Sequence, residues 1–362
     1  MLCSDCAGKS LGTYISRHGD KGVCRFCGKE KNKVLPCDEI ENFISDAWQF
    51  YYENADEAEV PAFEVLPTYD IEDILEDKEE LELEDTNELF LEQLRSDFSE
   101  RQWFRIGENE VQGSNEMLYS WKQFCEIVKH KWRYTFPFVK DIYDYSVMFS
   151  SKNILKIVSE LLDSQNCISK ISPDVPIYRG RNFKNKKEVL LTAKDIGTPT
   201  AENAKQANRF SPEGIPMFYG CLNSSTVKYE IGDGEYLFIG EFHTSKDIVV
   251  LDLTALPNTP SLYDDEKNMF ISGIDFLREF AYAVSENVSS NEKLDYVPTQ
   301  IFTEYIRQVG LKKFNIRGIK YHSAKCIGEY NVVLFYENDD CFDDISQNKE
   351  GLILKNVIYE KK

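Results

Sequence analysis

The stretch NRFSPEGIPMFYGC, residues 208–221, sets an arginine beside an aromatic, then two proline-marked turns around a glycine, then Met-Phe-Tyr. Proline pins φ and glycine reaches backbone conformations closed to other residues, so this loop presents Arg209 and Tyr219 from fixed positions. Working outward, TVKYEI reads as a short helix ending near Glu230, and VPIYRG as a strand running into Arg179, Gly180 and Arg181. Two guanidinium forks on either side of a small residue suit a bidentate grip on phosphate. Tyr296 and Gln300 follow in YVPTQ, and Ser323 in YHS. Singly, each residue is as well explained by ion pairing, packing or a strand-end hydrogen bond; it is the set, at boundaries of strands and turns, that points to a site.

From Val175 the chain alternates short apolar runs (VPIYRG, IPMFYGC, EYLFIGEF, DIVVLDL, GIKYHS, NVVLFYE) with helical signatures at TVKYEI, SGIDFLREFAYAVSE and TQIFTEYIRQVG. This is the pattern of an α+β domain over 174–340, and the tail 341–362 adds one more strand, GLILKNVIYE. Residues 38–168 read as an α-helical domain: Asp38 is the expected N-cap of a helix through ENFISDAWQFYYEN, and four further segments keep helical spacing. Trp121, Phe124, Val128 and Trp132 are read as core. A G-x-G-x-x-G loop opening a helix is absent, which argues against a dinucleotide-binding oxidoreductase.

Charge is unevenly spread. The chain carries a formal −20, yet residues 53–88 hold sixteen Asp or Glu against a single Lys78, so only −5 falls elsewhere. Such a block reads as a solvated face or linker. Neither a signal-peptide segment nor a membrane-length apolar run is present in the sequence, so the expected location is cytoplasmic, where ten cysteines stay reduced or bind metal. Cys3 with Cys6, and Cys24 with Cys27, form two C-x2-C pairs, the spacing of a structural zinc module over 1–37 with all four positions filled by thiolates. His18 and Cys37 are spare candidates.

The pieces IYRGR, NRFSPEGIPMFYGCLNSSTVKYEI, DYVPTQIFTEYIRQVG and RGIKYHS, in that order, resemble the RES domain, the toxin half of bacterial RES/Xre toxin and antitoxin pairs. The region ahead resembles a HEPN/RES N-terminal region with a zinc-binding piece added. A ribonuclease of the HEPN kind is not indicated, because His130 is the only histidine of 38–168 and no arginine stands at the required distance before it; Arg317 and His322 have that spacing but flank a strand. The resemblance implies an ADP-ribosyltransferase-like fold and NAD+ as substrate, cleaved at the nicotinamide–ribose bond. It implies that Arg179 and Arg209 hold the pyrophosphate or a nearby ribose, Tyr219 packs on a ring, Glu230 serves the nicotinamide ribose and Ser323 completes the pocket, with Arg179, Glu230 and Ser323 catalytic. Where some members place an aromatic after the first arginine, this chain has Gly180, with Tyr178 as the nearby replacement.

Residue chemistry points the same way. An N-glycosidic bond breaks through an oxocarbenium-like state that a carboxylate stabilises, and Glu230 is the acid at the centre of the set; Asp233 and Glu235 fall in the turn-like IGDGEY. The released ADP-ribosyl group can go to water, to inorganic phosphate or to a macromolecule, so glycohydrolase, phosphorylase and ADP-ribosyltransferase outcomes all stand. A third class, a zinc-containing nucleic-acid-binding protein, rests on Lys9, Arg17, Lys21, Arg25, Lys29, Lys31 and Lys33 around the cysteines. The expected partners are NAD+, an Xre-like antitoxin and a second copy of the chain, and no membrane.

Overall fold

A computed structural model describes residues 1–49, 51–56, 67–105, 114–138, 150, 153–183, 191–232, 236–258, 261–264, 269–285, 293–344 and 349–361. Asp233, Glu235 and residues 57–66 of the acidic run lie outside these. Packing divides the chain into two compact units, Met1–Glu116 with Asn258–Asp275, and Met117–Pro257 with Phe276–Lys362. No helix among the described residues is long and apolar enough to cross a membrane.

Unit 1 starts with β1 (Leu2–Cys3), α1 (Lys9–His18), β2 (Asp20–Val23) and β3 (Glu30–Leu35), the strands forming an antiparallel sheet ordered β1-β3-β2. Next comes α2 (Cys37–Trp48), which buries Ile40, Ile44, Ala47 and Trp48 along one face. Asp38 is not its cap: the helix begins a residue earlier, the N-cap position is Pro36, and no side chain caps it, because the preceding proline already sets the entry angle. The helix also stops at Trp48, short of the expected Asn54. Residues beyond form β4 (Tyr52–Asn54) and β5 (Thr68–Tyr69), which flank β6 (Trp103–Arg105) in a second small sheet. Between them lie α3 (Ile71–Glu76), opened by an Asp70 and Asp73 capping box, and α4 (Glu88–Asp97), capped by the Asn87 side chain, which accepts from the Leu89 N–H. Strands of two or three residues are too short to show alternation in sequence, so this sheet was invisible there.

Part of the later chain completes the unit 1 core. Tyr263 is buried among Trp48, Leu81 and Leu83; its hydroxyl donates to the Leu81 carbonyl at 2.9 Å and the Trp48 indole donates to it at 3.3 Å. Glu82 holds the same segment by accepting from the Ser261 hydroxyl at 2.7 Å and the Leu262 N–H at 3.0 Å.

Unit 2 is built on a nine-stranded mixed sheet. Its elements are α5 (Ser114–His130), α6 (Ile154–Ser164), β7 (Ile168–Ile171), β8 (Ile177–Phe183), α7 (Ala193–Ile196), β9 (Phe218–Cys221) and α8 (Val227–Ile231). Then follow β10 (Tyr236–Thr244), β11 (Ile248–Asp252), α9 (Met269–Ser285), α10 (Val297–Gln308), β12 (Ile316–His322), β13 (Tyr330–Leu334), β14 (Cys341–Phe342) and β15 (Leu352–Lys361). The sheet order is β14-β15-β10-β8-β9-β13-β12-β11-β7, with β11/β12 and β14/β15 parallel and the other pairs antiparallel. The expected tail strand is therefore an inner strand, paired along its length with β10.

Alternation along β13 shows how the sheet is covered. Val333 joins the core made by Trp121, Phe124 and Val128 of α5, Leu155 and Val158 of α6, Phe280 of α9 and Phe302 of α10, while Val332 joins Ile196, Phe218 and Phe242 on the opposite face. The aromatic residues of α5 are thus core, as the spacing implied, and Trp132 packs partly buried against them.

Candidate functional site

The loop at 208–221 is held by its own tyrosine and by α10. The Tyr219 hydroxyl accepts from the Phe210 N–H at 3.2 Å and bonds the Ser211 hydroxyl at 3.0 Å. Gln300 donates to the carbonyls of Asn208 and Ser211 at 2.7 and 3.3 Å, and Thr299 donates to the Arg209 carbonyl at 2.5 Å. Gly214 sits at φ +82°, the left-handed region that the turn requires. Burial pushes the Tyr219 phenol up to about 12, so it stays a neutral donor and acceptor. The Arg209 guanidinium donates to the Val284 carbonyl of α9 and lies 5.9 Å from the Tyr296 ring centroid.

Arg179 and Arg181 share one face of β8, and their forks close on backbone. Arg179 donates from Nε to the Ile196 and Gly197 carbonyls and from Nη1 to the Tyr219 carbonyl at 2.7 Å; Arg181 donates to the same Ile196 and Gly197 carbonyls. Nη2 of Arg179 and Nη1 of Arg181 take no partner among the described residues. Burial, then the charge of Arg181, lowers Arg179 to about 10, which leaves it cationic at neutral pH. Gly180 between them has a steric reason: a Cβ there would stand 2.4 Å from the Ile231 side chain and 2.5 Å from that of Val227, so a side chain would push α8 off the sheet.

Through α8, Glu230 reaches the end of β12. Its Oε1 accepts from the Ser323 hydroxyl at 2.6 Å and from the Asn331 amide at 2.7 Å, while its backbone carbonyl accepts from Lys325 at 3.0 Å. Ser323 in turn accepts from the N–H groups of Lys325 and Cys326. Between the two clusters sit Cys221, its thiol pushed up to about 12 by burial and then by Glu230, and the buried Tyr321, pushed up by burial and by its neighbours Tyr219, Glu230 and Cys221 against the opposing charge of Arg209.

One cavity of about 1240 Å³ takes in Tyr178, Arg179, Arg209, Tyr219, Glu230 and Tyr296. Among its described lining residues six are cationic, Arg179, Arg181, Lys205, Arg209, Lys293 and Lys325, and Glu230 is the sole acid. In a chain of net −20 this is a local inversion of charge suited to an anionic ligand larger than a single ring. The geometry brings together Glu230 with Ser323, and Arg179 with Tyr219. Two residues that sequence reasoning passed over, Asn331 and Tyr321, belong to the same site. The signal for Tyr321 was its place two residues before Ser323 on one strand face, and for Asn331 a polar residue opening the apolar run NVVLF. Arg317, by contrast, pairs with Glu350, and His322 is exposed against Tyr330.

The second candidate site is in unit 1. The Sγ atoms of Cys3, Cys6, Cys24 and Cys27 lie within 4.8 Å of one another, with Cys3 and Cys27 at 4.0 Å. A tetrahedral thiolate cage with metal–sulfur bonds of about 2.3 Å has edges of about 3.8 Å, so the set fits a metal ion. Gly8 and Gly28 follow the two pairs at φ +80° and +70°, making the tight turns of the knuckle. Burial, with Cys3 and Cys24 beside it, pushes the Cys6 thiol up, whereas at Cys24 the backbone N–H groups of Cys27 and Phe26 outweigh burial and bring it to about 7. A cation is what allows four such thiols to ionise together. Around it, Lys31 pairs with Asp5, Lys21 with Glu30, Arg17 with Asp264, and Lys33 donates to the Gly19 carbonyl, so much of the basic cluster is already engaged.

Two family profiles match the chain: HEPN/RES N-terminal domain 1 over residues 17–141, and RES domain over residues 186–354. The second match contains Arg209, Tyr219, Glu230 and Ser323, and begins after Arg179 and Arg181. No curated protein was found to match the chain.

Proposed function

We propose that this chain, which matches the RES domain over residues 186–354 and HEPN/RES N-terminal domain 1 over residues 17–141, is an NAD+-consuming effector of the toxin kind that cleaves the nicotinamide–ribose bond. The observation that carries this reading is a carboxylate, Glu230, fixed by Ser323 and Asn331 as the sole acid among the described residues of a cavity whose six other charged groups are all cations.

In this reading Arg209 and the free amino groups of Arg179 and Arg181 meet the pyrophosphate, and Tyr178, Tyr219 or Tyr296 lies against a ring. Glu230 accepts a hydrogen bond from a hydroxyl of the nicotinamide ribose. As the C1′–N bond breaks, its electron pair goes to the nicotinamide nitrogen, which leaves neutral, and positive charge develops on the ribose, where the carboxylate stabilises it. An oxygen of water or inorganic phosphate then bonds C1′; where it is water, the surplus proton passes to solvent. The four-thiolate site of unit 1 is proposed to hold structural zinc, since every coordination position is filled by protein and none remains for substrate.

Incubation of the purified chain with labelled NAD+ and cell lysate tests this directly. Free nicotinamide with ADP-ribose or its phosphate is the expected product; label on protein or nucleic acid assigns the same pocket to ADP-ribosyl transfer, and intact NAD+ sinks the proposal.

A further inference from the structure

Glu230 has two carboxylate oxygens, and the protein treats them differently. Oε1 takes both side-chain donors, Ser323 at 2.6 Å and Asn331 at 2.7 Å; among the described residues Oε2 takes none, and it is not among the buried orphan atoms, so it remains accessible in the cavity. Ser323 has no capacity left for a substrate, because its one proton goes to Glu230 and its oxygen accepts two backbone N–H groups.

Asn331 is the more telling partner. It is 4 % exposed on β13, and among the described residues its sole side-chain bond is the one to Glu230. A carboxylate only accepts, so the amide must turn its NH2 toward Glu230, and this leaves Oδ1 buried without a partner. An orphaned buried oxygen destabilises a fold, and the next residues of the strand, Val332, Val333 and Leu334, show that this strand is otherwise filled with apolar side chains. Folding alone is therefore better served by an apolar residue at 331.

We propose that Asn331 is a positioning residue which, with Ser323, clamps Oε1 of Glu230 so that Oε2 is the oxygen presented to the ligand. This rests on the NAD+ reading above for its kinetic consequence, and on geometry alone for its structural one.

The variant Asn331→Leu removes the donor while filling similar space. Loss of a hydrogen bond to a charged group corresponds to a fall in kcat for NAD+ of roughly 10-fold to 100-fold, with KM within about threefold because the phosphate-binding groups are untouched. The melting temperature is expected to hold or rise, which a merely structural asparagine would not permit. Crystal structures of the parent and of Asn331→Leu supply an independent readout: the Glu230 carboxylate is expected to keep one orientation in the parent and to rotate or split in the variant. Unchanged kcat in an active protein overturns the proposal, as does an unmoved carboxylate in the variant crystal. Should the parent leave NAD+ intact, the functional reading fails and the crystallographic comparison still decides the clamp.

Discussion

The four-thiol knot of unit 1 and the cavity of unit 2 are both polar sites, and they are assembled in opposite ways. In the knot, four like ligands arrive from two short turns within 25 residues of chain, and each turn is closed locally by bonds such as Ala7 N–H to the Cys3 carbonyl and Gly28 N–H to the Cys24 carbonyl. In the cavity, the groups come from β8, the 208–221 loop, α8, β12 and β13, and the central pair Glu230 and Asn331 stands 101 positions apart in sequence. The lesson is that a site made by local turns is preformed by its own short segments, whereas a site made by a sheet depends on the packing of the whole unit.

Substitutions that leave one region intact while disabling the other test that contrast. The largest expected effect is on the cavity: Glu230→Ala should reduce NAD+ turnover by at least about a thousandfold while leaving metal content and melting temperature near those of the parent, because the carboxylate acts on charge that develops only as the bond breaks. A variant with parent-like turnover removes Glu230 from the site. Next is the knot. Chelation, or Cys24→Ser, should strip several kcal/mol from unit 1, read as lost amide-exchange protection over residues 1–48, with turnover kept within about threefold. A parallel collapse of turnover would break the contrast.

Smaller effects sharpen the picture within unit 2. Arg209→Ala should raise KM by about 10-fold or more with a lesser change in kcat, measured by steady-state kinetics, as expected for loss of a charged phosphate contact. Gly180→Ala should destabilise by roughly 1–3 kcal/mol in urea unfolding, since the new methyl meets Val227 and Ile231. The smallest concerns Tyr219. Its phenol is raised in the fold from about 10 to about 12, so the stability it contributes is complete below pH 10 and is lost as pH climbs through 12. Replacing it with Phe should flatten that part of the alkaline stability profile relative to the parent; equal slopes would show that Tyr219 is not the titrating group.

Much of this was legible beforehand, and the reasons differ by element. Seven of the nine strands of the unit 2 sheet, all but β7 and β14, announced themselves through β-branched and aromatic runs bounded by Gly and Pro, and α8, α9 and α10 through helical spacing, since both periodicities are set by the backbone itself. Short strands such as Thr68–Tyr69 carried no period to read. The N-cap expected at Asp38 failed because Pro36, two residues earlier, had already started the helix. Residues 258–275 looked like part of the α+β domain, yet Tyr263 is buried in unit 1, a placement that depends on which hydrophobic surface is left uncovered.

The sequence by itself determined the two C-x2-C pairs and most strands and helices of unit 2, and it offered Arg179, Arg209, Tyr219, Glu230 and Ser323 as candidates whose roles the resemblance implies. Only the tertiary structure decided how those groups are used. It turned the forks of Arg179 and Arg181 onto the carbonyls of Ile196 and Gly197, and it set Asn331 against Glu230. Local signals act over a few residues, whereas the register of β13 against β9 and the docking of α8 on Gly180 are settled by the simultaneous packing of nine strands, and it is that packing which leaves one carboxylate oxygen clamped and the other open.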